Sequence, residues 1–397
     1  MLDLVELQRQ IQEMDPQKAI DGNESRLQLD LALQLYEAAR QNFEAFQQRV
    51  NQSKTTWLIA QIDSSLDTHR LPKSVTSDYT LFATDGSQIF PSHHEIVPYF
   101  LINIGNVVLQ YGASASARLW SAPHMYYRQE DLQIPTETGS RTISSDEVSA
   151  RRGVMELEAL WQLAAEYPTT SPRLAIADGT LIMWYLEEKR ETLRLQLVDQ
   201  LRRVFDQFET HQTPIFAYKS DPRHSEFIKS LRVYACPVPH ENCQNCQKPD
   251  LPPERECAQL EAVRDARLFA EILRPGERSA IFSNAFKPMN SDSWHPQIDF
   301  FYLNVGQFGG MTEIARLEFP HWMSHQPHLI DLIHAVTLDQ VEKGFGYPLA
   351  LIEAHEQAVV RGPDRELFYQ LIENTLLQKQ IHKSPTRKAL SKQRPTR

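Results

Sequence analysis

The order of apolar runs predicts an α/β fold, a mixed sheet flanked by helices. Three observations carry that prediction. One apolar run ends in Leu81-Phe82-Ala83-Thr84-Asp85-Gly86-Ser87, and a second ends in Leu174-Ala175-Ile176-Ala177-Asp178-Gly179-Thr180. Between residues 79 and 219, strand-like and helix-like periods follow one another as β–α–β–α–β. A chain of 397 residues is long enough for one large α/β domain with additions.

Residues 1–74 read as a helical N-terminal arm. Leu4, Leu7, Ile11 and Met14 share one helical face, Asp15-Pro16 breaks it, and Leu27, Leu31 and Leu35 resume the i, i+4 spacing. Leu29 and Leu33 interleave, but the Ala- and Gln-rich continuation after Tyr36 favours helix. The arm is expected to pack on the core or on a partner subunit. Residues 75–380 form the main domain. Tyr79 to Gly112 reads as a hairpin or meander whose first strand ends at Asp85. A loop with Pro91, His93 and His94 follows, and Gly105-Asn106 is a hairpin-turn signal.

Residues 135–147 read as loop with a helix N-cap near Ser145. A helix over 148–166, a strand over 173–177, a helix over 181–209 and a strand ending at Lys219 come next. Residues 234–257, rich in Pro, Asn and Gln, read as a Cys-rich insertion. Beyond it the spacing predicts a helix over 259–273, strands over 298–305 and 312–318, and helices over 329–342, 348–360 and 364–378. Residues 381–397 are basic with Pro and Ser, the pattern of a disordered tail.

With 41% hydrophobic and 23% charged residues, the composition is that of an ordinary globular protein, not a disordered one. The net charge of −10 argues against a passive nucleic-acid coat. It leaves room for a nuclease, whose acidic centre adds negative charge while local Arg and Lys meet phosphates. Arg151-Arg152, Arg202-Arg203 and Lys219 with Arg223 are the candidate basic patches. No segment has the pattern of a signal peptide, and no run approaches the length of a membrane span. A cytoplasmic protein without a membrane partner is the expectation.

Asp85 and Asp178 carry the chemistry. A carboxylate at the end of a buried strand is held rigidly, and two on adjacent strands make a hard-oxygen site for Mg²⁺ or Mn²⁺. Such a site points to metal-assisted hydrolysis of a phosphodiester, with two ions activating water and steadying the leaving oxygen. A third carboxylate is expected from the preceding helix. Glu156 and Glu158 are about 200° apart there, so only one can face the site. Glu156 is preferred. His355 is a candidate ligand or proton donor, although its apolar neighbours Leu351, Ile352 and Ala354 also suit a core histidine. Tyr347 is placed to orient a phosphate or a base, and Lys219 to neutralise phosphate charge. Trp120, Tyr126 and Tyr127 are candidates for stacking on unpaired bases.

The motifs Thr84-Asp85-Gly86-Ser87-Gln88, Ala177-Asp178-Gly179-Thr180-Leu181, Ala217-Tyr218-Lys219-Ser220, Ala315-Arg316-Leu317-Glu318-Phe319-Pro320, and Tyr347-Pro348-Leu349 with Glu353-Ala354-His355 occur in that order. Together the ordered set resembles the NurA nuclease family over about residues 78–375. The resemblance implies a ribonuclease-H-like core and an Mn²⁺-dependent deoxyribonuclease. Such enzymes degrade single-stranded DNA and resect duplex ends 5′→3′ in double-strand break repair. They act as homodimers with a HerA-type hexameric ATPase. Carried over by motif, Asp85, Glu156 and Asp178 are the metal carboxylates, His355 is the fourth ligand and Tyr347 stands beside it. Thr180 departs from the Ser expected in the second turn, and the Cys-rich insertion is no general family feature.

Cys236, Cys243, Cys246 and Cys257 have C-x₆-C-x₂-C-x₁₀-C spacing, which suits a structural Zn²⁺ site. His240 is a substitute ligand and an Fe–S cluster an alternative. Two other functions compete with the nuclease: a non-catalytic DNA-end adaptor of a translocase, and a metal-dependent phosphatase for small substrates.

Overall fold

The computed structural model describes residues 2–13, 22–55, 57–70, 78–90, 98–136, 139–186, 189, 191–236, 260–284 and 294–379. Helices α1 (Leu4–Glu13), α2 (Gly22–Gln41) and α3 (Phe43–Gln52) come first, then the short strands β1 (Ala60–Gln61) and β2 (His69–Arg70). The long strands β3 (Thr80–Ile89), β4 (Phe100–Gln110) and β5 (Ser116–Tyr126) follow, with the turn α4 (Gln129–Leu132) and a small hairpin, β6 (Gln133–Thr136) and β7 (Gly139–Thr142). Next come α5 (Ser145–Glu166), β8 (Arg173–Asp178), α6 (Glu191–Thr210), β9 (Ile215–Lys219), α7 (Glu226–Ala235) and α8 (Asp265–Ile272). The chain closes with β10 (Glu277–Arg278), β11 (Phe282–Asn284), β12 (Ile298–Phe308), β13 (Met311–Pro320), α9 (Pro327–Lys343), α10 (Leu349–Ala358) and α11 (Gly362–Gln378).

Two compact units result. The first comprises Met1–Thr76, Gly179–Ile182 and Phe216–Tyr347. Its strands run in the order β1-β11-β12-β13-β9, with β10 on β12 and β2 on β10. Its core is aromatic: Tyr36, Phe46, Phe227, Phe269, Phe282, Phe300 and Tyr302 are all buried together. Edge-on contacts such as Tyr36 on Phe227 at 6.0 Å join helix α2 to α7. The helix turns its Leu29, Ala32, Tyr36 and Ala39 stripe inward, whereas Leu27 on the expected stripe is exposed. Tyr36 fixes the orientation, because its ring is buried and its hydroxyl donates to the Leu66 carbonyl at 2.8 Å. Helix α1 buries none of its side chains.

A charged network lies inside this unit. Arg316 is 1% exposed and stacks its guanidinium 3.6 Å over Phe300. Its Nε donates to Glu318 at 2.9 Å and its NH1 to Glu226 at 3.1 Å. Tyr302 donates to Asp265 at 2.7 Å, and Asp265 also accepts the Phe227 and Ile228 amides at the start of α7. Burial pushes the Glu226 and Asp265 carboxyls above the usual range, with Arg316 opposing it in both.

The second unit comprises Ser77–Asp178, Met183–Ile215 and Pro348–Arg397. Its sheet is mixed, in the order β8-β3-β4-β5. Strands β3 and β8 are parallel, as the α5 crossover requires, while β4 and β5 return antiparallel. Strand β4 is buried along almost its whole length because helices cover the sheet there. Strand β5 is mostly exposed at the sheet's edge. Ser144 caps α5 in a reciprocal box with Glu147, one residue before the expected N-cap.

Several sequence expectations are corrected. Strand β3 does not end at Asp85 but runs on to Ile89. Gly105-Asn106 is no hairpin turn; it lies in the middle of β4, where helix α10 passes so closely that a Cβ on Gly105 would overlap the Ala354 carbonyl. Strand β5 lies beyond the meander expected to end at Gly112, and the β6–β7 hairpin takes up part of the loop expected over 135–147. The helix expected from residue 181 starts at Glu191, after a 3₁₀ turn at Trp184–Leu186. Cys236 is the half-buried C-cap of α7; Cys243, Cys246, Cys257 and His240 lie outside the described residues, as do His93, His94 and the tail 381–397.

Candidate metal centre

The parallel register of β3 and β8 pairs Leu81 with Leu174 and Ala83 with Ile176. Carried two residues on, it sets Asp85 opposite Asp178 at the C-terminal end of β8. That is the end where open α/β sheets bind ligands. Asp178 is exposed there, and Gly179 leaves the strand at φ +85°, a left-handed turn that only glycine makes cheaply.

His355 reaches Asp85 from α10. Its Nδ1 lies 2.8 Å from Asp85 Oδ2, and its ring is 64% exposed, so it is no core histidine. Two devices bring the helix there. Gly105 permits the close approach, and Asn103 Nδ2 donates to the Ala358 carbonyl at 2.8 Å at the helix C-terminus. Ser87 donates to the same carbonyl.

Glu156 approaches from the other face. Successive strand residues point to opposite sides, so Asp85 faces α10 while Thr84 and Gly86 face α5. Thr84 Oγ1 donates to the Glu156 carbonyl at 2.8 Å. A Cβ on Gly86 would fall 2.5 Å from Glu156 Oε1. Gly86 therefore serves space rather than a turn: its missing side chain lets the carboxylate press against β3. Burial pushes the Glu156 carboxyl up to about 7. Arg152 opposes that shift, Asp85 and Asp178 add to it, and the Gly86 amide opposes it. Glu158 is half-buried, raised by burial and opposed by Arg203. The choice between the two glutamates thus falls on Glu156, the one that feels Asp85 and Asp178.

The second unit therefore brings together Asp85, Glu156, Asp178 and His355. Lys219 and Tyr347 belong to the first. Lys219 ends β9 opposite Arg316 of β13, and the Tyr347 ring meets Tyr218 edge-on at 5.3 Å. Among the base-stacking candidates, Tyr126 lies flat on Phe100 at 4.5 Å with the Arg151 guanidinium 5.3 Å from its own ring, a packed arrangement. Trp120 and Tyr127 are exposed. Arg202 and Arg203 both bridge to Asp199 on an exposed helix face.

Among the described residues, no three His, Cys, Asp or Glu side chains already converge on one ion position. The geometry explains this: His355 takes Asp85, and Arg152 Nε stands 3.0 Å from Glu156 Oε1. In kind the donors still fit Mg²⁺ or Mn²⁺, being hard carboxylate oxygens with one imidazole. Glu156 Oε1 is moreover buried without a hydrogen-bond partner among the described residues. Sequence pattern does not single out Gln88, which accepts from Arg152 at 2.7 Å. Nor does it single out Tyr185, whose hydroxyl meets the bare Gly153 on α5 and whose pKa burial and Glu156 push up to about 12. The i, i+4 spacing of Arg152 and Glu156 is the one signal that was legible.

The model of the NurA domain family matches residues 79–360. The chain belongs to the NurA domain family. All four clustered side chains fall inside that NurA domain, as do Lys219 and Tyr347; helices α1 to α3 precede it and α11 follows it. The crystal structure of the NurA nuclease from Sulfolobus solfataricus aligns with 87% of this chain and 94% of that one, at 12% identity and a TM-score of 0.47. LC9-RNase H1, a type 1 RNase H with the type 2 active-site motif, aligns with 40% of this chain and 71% of its own, at 8% identity and a TM-score of 0.22. No curated protein matches the sequence. Among the described residues, no helix is long and apolar enough to cross a membrane.

Proposed function

We propose that this NurA-domain protein is a metal-dependent DNA nuclease, with Asp85, Glu156 and Asp178 as the metal carboxylates and His355 as a further ligand. The observation that carries this reading is that Glu156 on α5 lies near enough to Asp85 and Asp178, on two parallel strands, for both carboxylates to raise its own carboxyl. Family membership supports the nuclease class. Divalent ions held there would supply a hydroxide near neutral pH and neutralise phosphate charge. The chain's own contribution is orientation: β3 and β8 hold two carboxylates rigid, Gly86 admits the third, and α10 fixes the imidazole. One imidazole among carboxylates favours Mn²⁺ over Mg²⁺. The proposed substrates are single-stranded DNA and duplex ends resected 5′→3′, with the protein a homodimer serving a HerA-type hexameric ATPase. Tyr347 and Lys219 are proposed to assist with phosphate.

Oligonucleotides labelled at the 5′ or the 3′ end, incubated with Mn²⁺, Mg²⁺ or EDTA, test the reading. Wild type should degrade them only with metal, and Asp178→Asn should lose more than about 100-fold of that rate, beyond the range seen for outer-shell changes. Degradation in EDTA, or an active Asp178→Asn protein, would sink the assignment.

A further inference from the structure

Arg152 lies one helical turn before Glu156 on α5, and the two stand at ion-pair distance, 3.0 Å. They lack hydrogen-bond geometry: Arg152 Nε and Glu156 Oε1 are both buried with no hydrogen-bond partner among the described residues. The guanidinium is tethered elsewhere, NH1 donating to Gln88 Oε1 at 2.7 Å. Gly86 makes room for it as well, since a Cβ there would fall 2.7 Å from Arg152 Cγ. The side chain keeps 32% of its surface exposed. A delocalised cation thus compensates Glu156 beside Asp85 and Asp178 without satisfying the carboxylate's lone pairs.

A divalent ion held by Glu156 would use that same oxygen, and two cations at such a distance repel each other. The arginine would then be pushed off its carboxylate while the Gln88 tether kept it at the rim. A planar guanidinium fork matches paired phosphate oxygens better than any other side chain. We propose that Arg152 is a substrate-phosphate residue, held on Glu156 until a divalent cation replaces it there. The identity of the phosphate as DNA rests on the nuclease reading above.

The full-length protein and Arg152→Gln are compared by two measurements. Calorimetry with Mn²⁺ alone should show Arg152→Gln binding the ion about fivefold more tightly, or better, because a competitor has been removed. Anisotropy with a single-stranded oligonucleotide is read in Ca²⁺ and in EDTA. In Ca²⁺ the variant should lose about tenfold in affinity, the worth of a charge-assisted hydrogen bond. Its slope of log K against log salt should fall by about 0.7, one phosphate contact on a single strand. In EDTA the two proteins should bind alike. A merely structural arginine would weaken binding in both conditions and leave the salt slope unchanged, and either result overturns the proposal, as does an Mn²⁺ affinity that stays the same or falls. If Arg152→Gln does not fold, Arg152→Lys carries the test: it keeps the salt slope but loses DNA affinity severalfold in Ca²⁺, and unchanged affinity there is decisive against the fork. Absence of metal-dependent cleavage by wild type would instead strike the nuclease reading alone.

Discussion

At the scale of single residues, Glu156 is the carboxylate that burial sets apart from Asp85 and the exposed Asp178. Its carboxyl titrates near 7 in the folded chain, mainly through burial, against about 4.5 for the free group. The sign of the linkage follows. Between those values the unfolded chain releases the proton and the folded chain keeps it, so stability falls as pH rises through the window. The loss reaches at most about 3 kcal/mol by pH 8. Urea midpoints in EDTA should therefore show Glu156→Gln gaining on wild type between pH 5 and pH 8. A difference between the two that is constant across that range would show that Glu156 is ionised throughout. Asp85 is anchored differently. It accepts the Gly86 amide at 2.7 Å and holds His355 through its second oxygen.

At the scale of elements, two glycines without positive φ do separate jobs, and each makes its own prediction. Gly86 faces side-chain atoms only, the Glu156 Oε1 end and the Arg152 stem at Cγ. Alanine there can be accommodated by moving those side chains, so Gly86→Ala should cost activity far more than stability. Gly105 faces the backbone of α10 at Ala354 and Ala358, which cannot swing aside. Gly105→Ala should lower stability by about 1–3 kcal/mol as the helix is forced outward. It should also displace His355 from Asp85. Thermal melts and cleavage rates on both variants check this; equal loss of stability in the two would refute the distinction. The same pair shows why local pattern misled. Gly-Asn inside an apolar run is a turn signal, and nothing local reveals a helix arriving from 250 residues further along the chain. His355 was ambiguous for the same reason: its apolar neighbours pack inward, while the ring itself points out toward Asp85.

At the scale of the whole molecule, the first unit has a buried charge system at its centre where an apolar core would be expected. Arg316 meets Glu318, Glu226 and Tyr302, with Asp265 one bond further on. Removing the cation alone strands buried carboxylates. Arg316→Met should therefore cost about 3–5 kcal/mol at pH 8. The loss should shrink toward pH 5, because Glu226 and Asp265 are already pushed upward and take up protons more readily. Denaturant melts at the two pH values test it, and a pH-independent loss would mean that the arginine matters for packing over Phe300 rather than for charge. The aromatic cluster around it also absorbs helix α2, which by sequence alone reads as part of an arm.

The amino-acid sequence by itself determined the α/β class, the carboxylate at the end of β8, the order of the later strands and helices, and the family to which the ordered motifs point. These are carried by short-range period and by turn chemistry, which a single chain displays openly. It left open which glutamate faces the aspartates, whether His355 is core or site, and where Arg152 spends its charge. Only the tertiary structure decided those, because each depends on which elements lie face to face. Glu156 presses against β3 beside Asp85 through a missing side chain at Gly86, and His355 meets Asp85 through another at Gly105. An absent Cβ creates a contact between distant segments, and that contact has no periodicity to read.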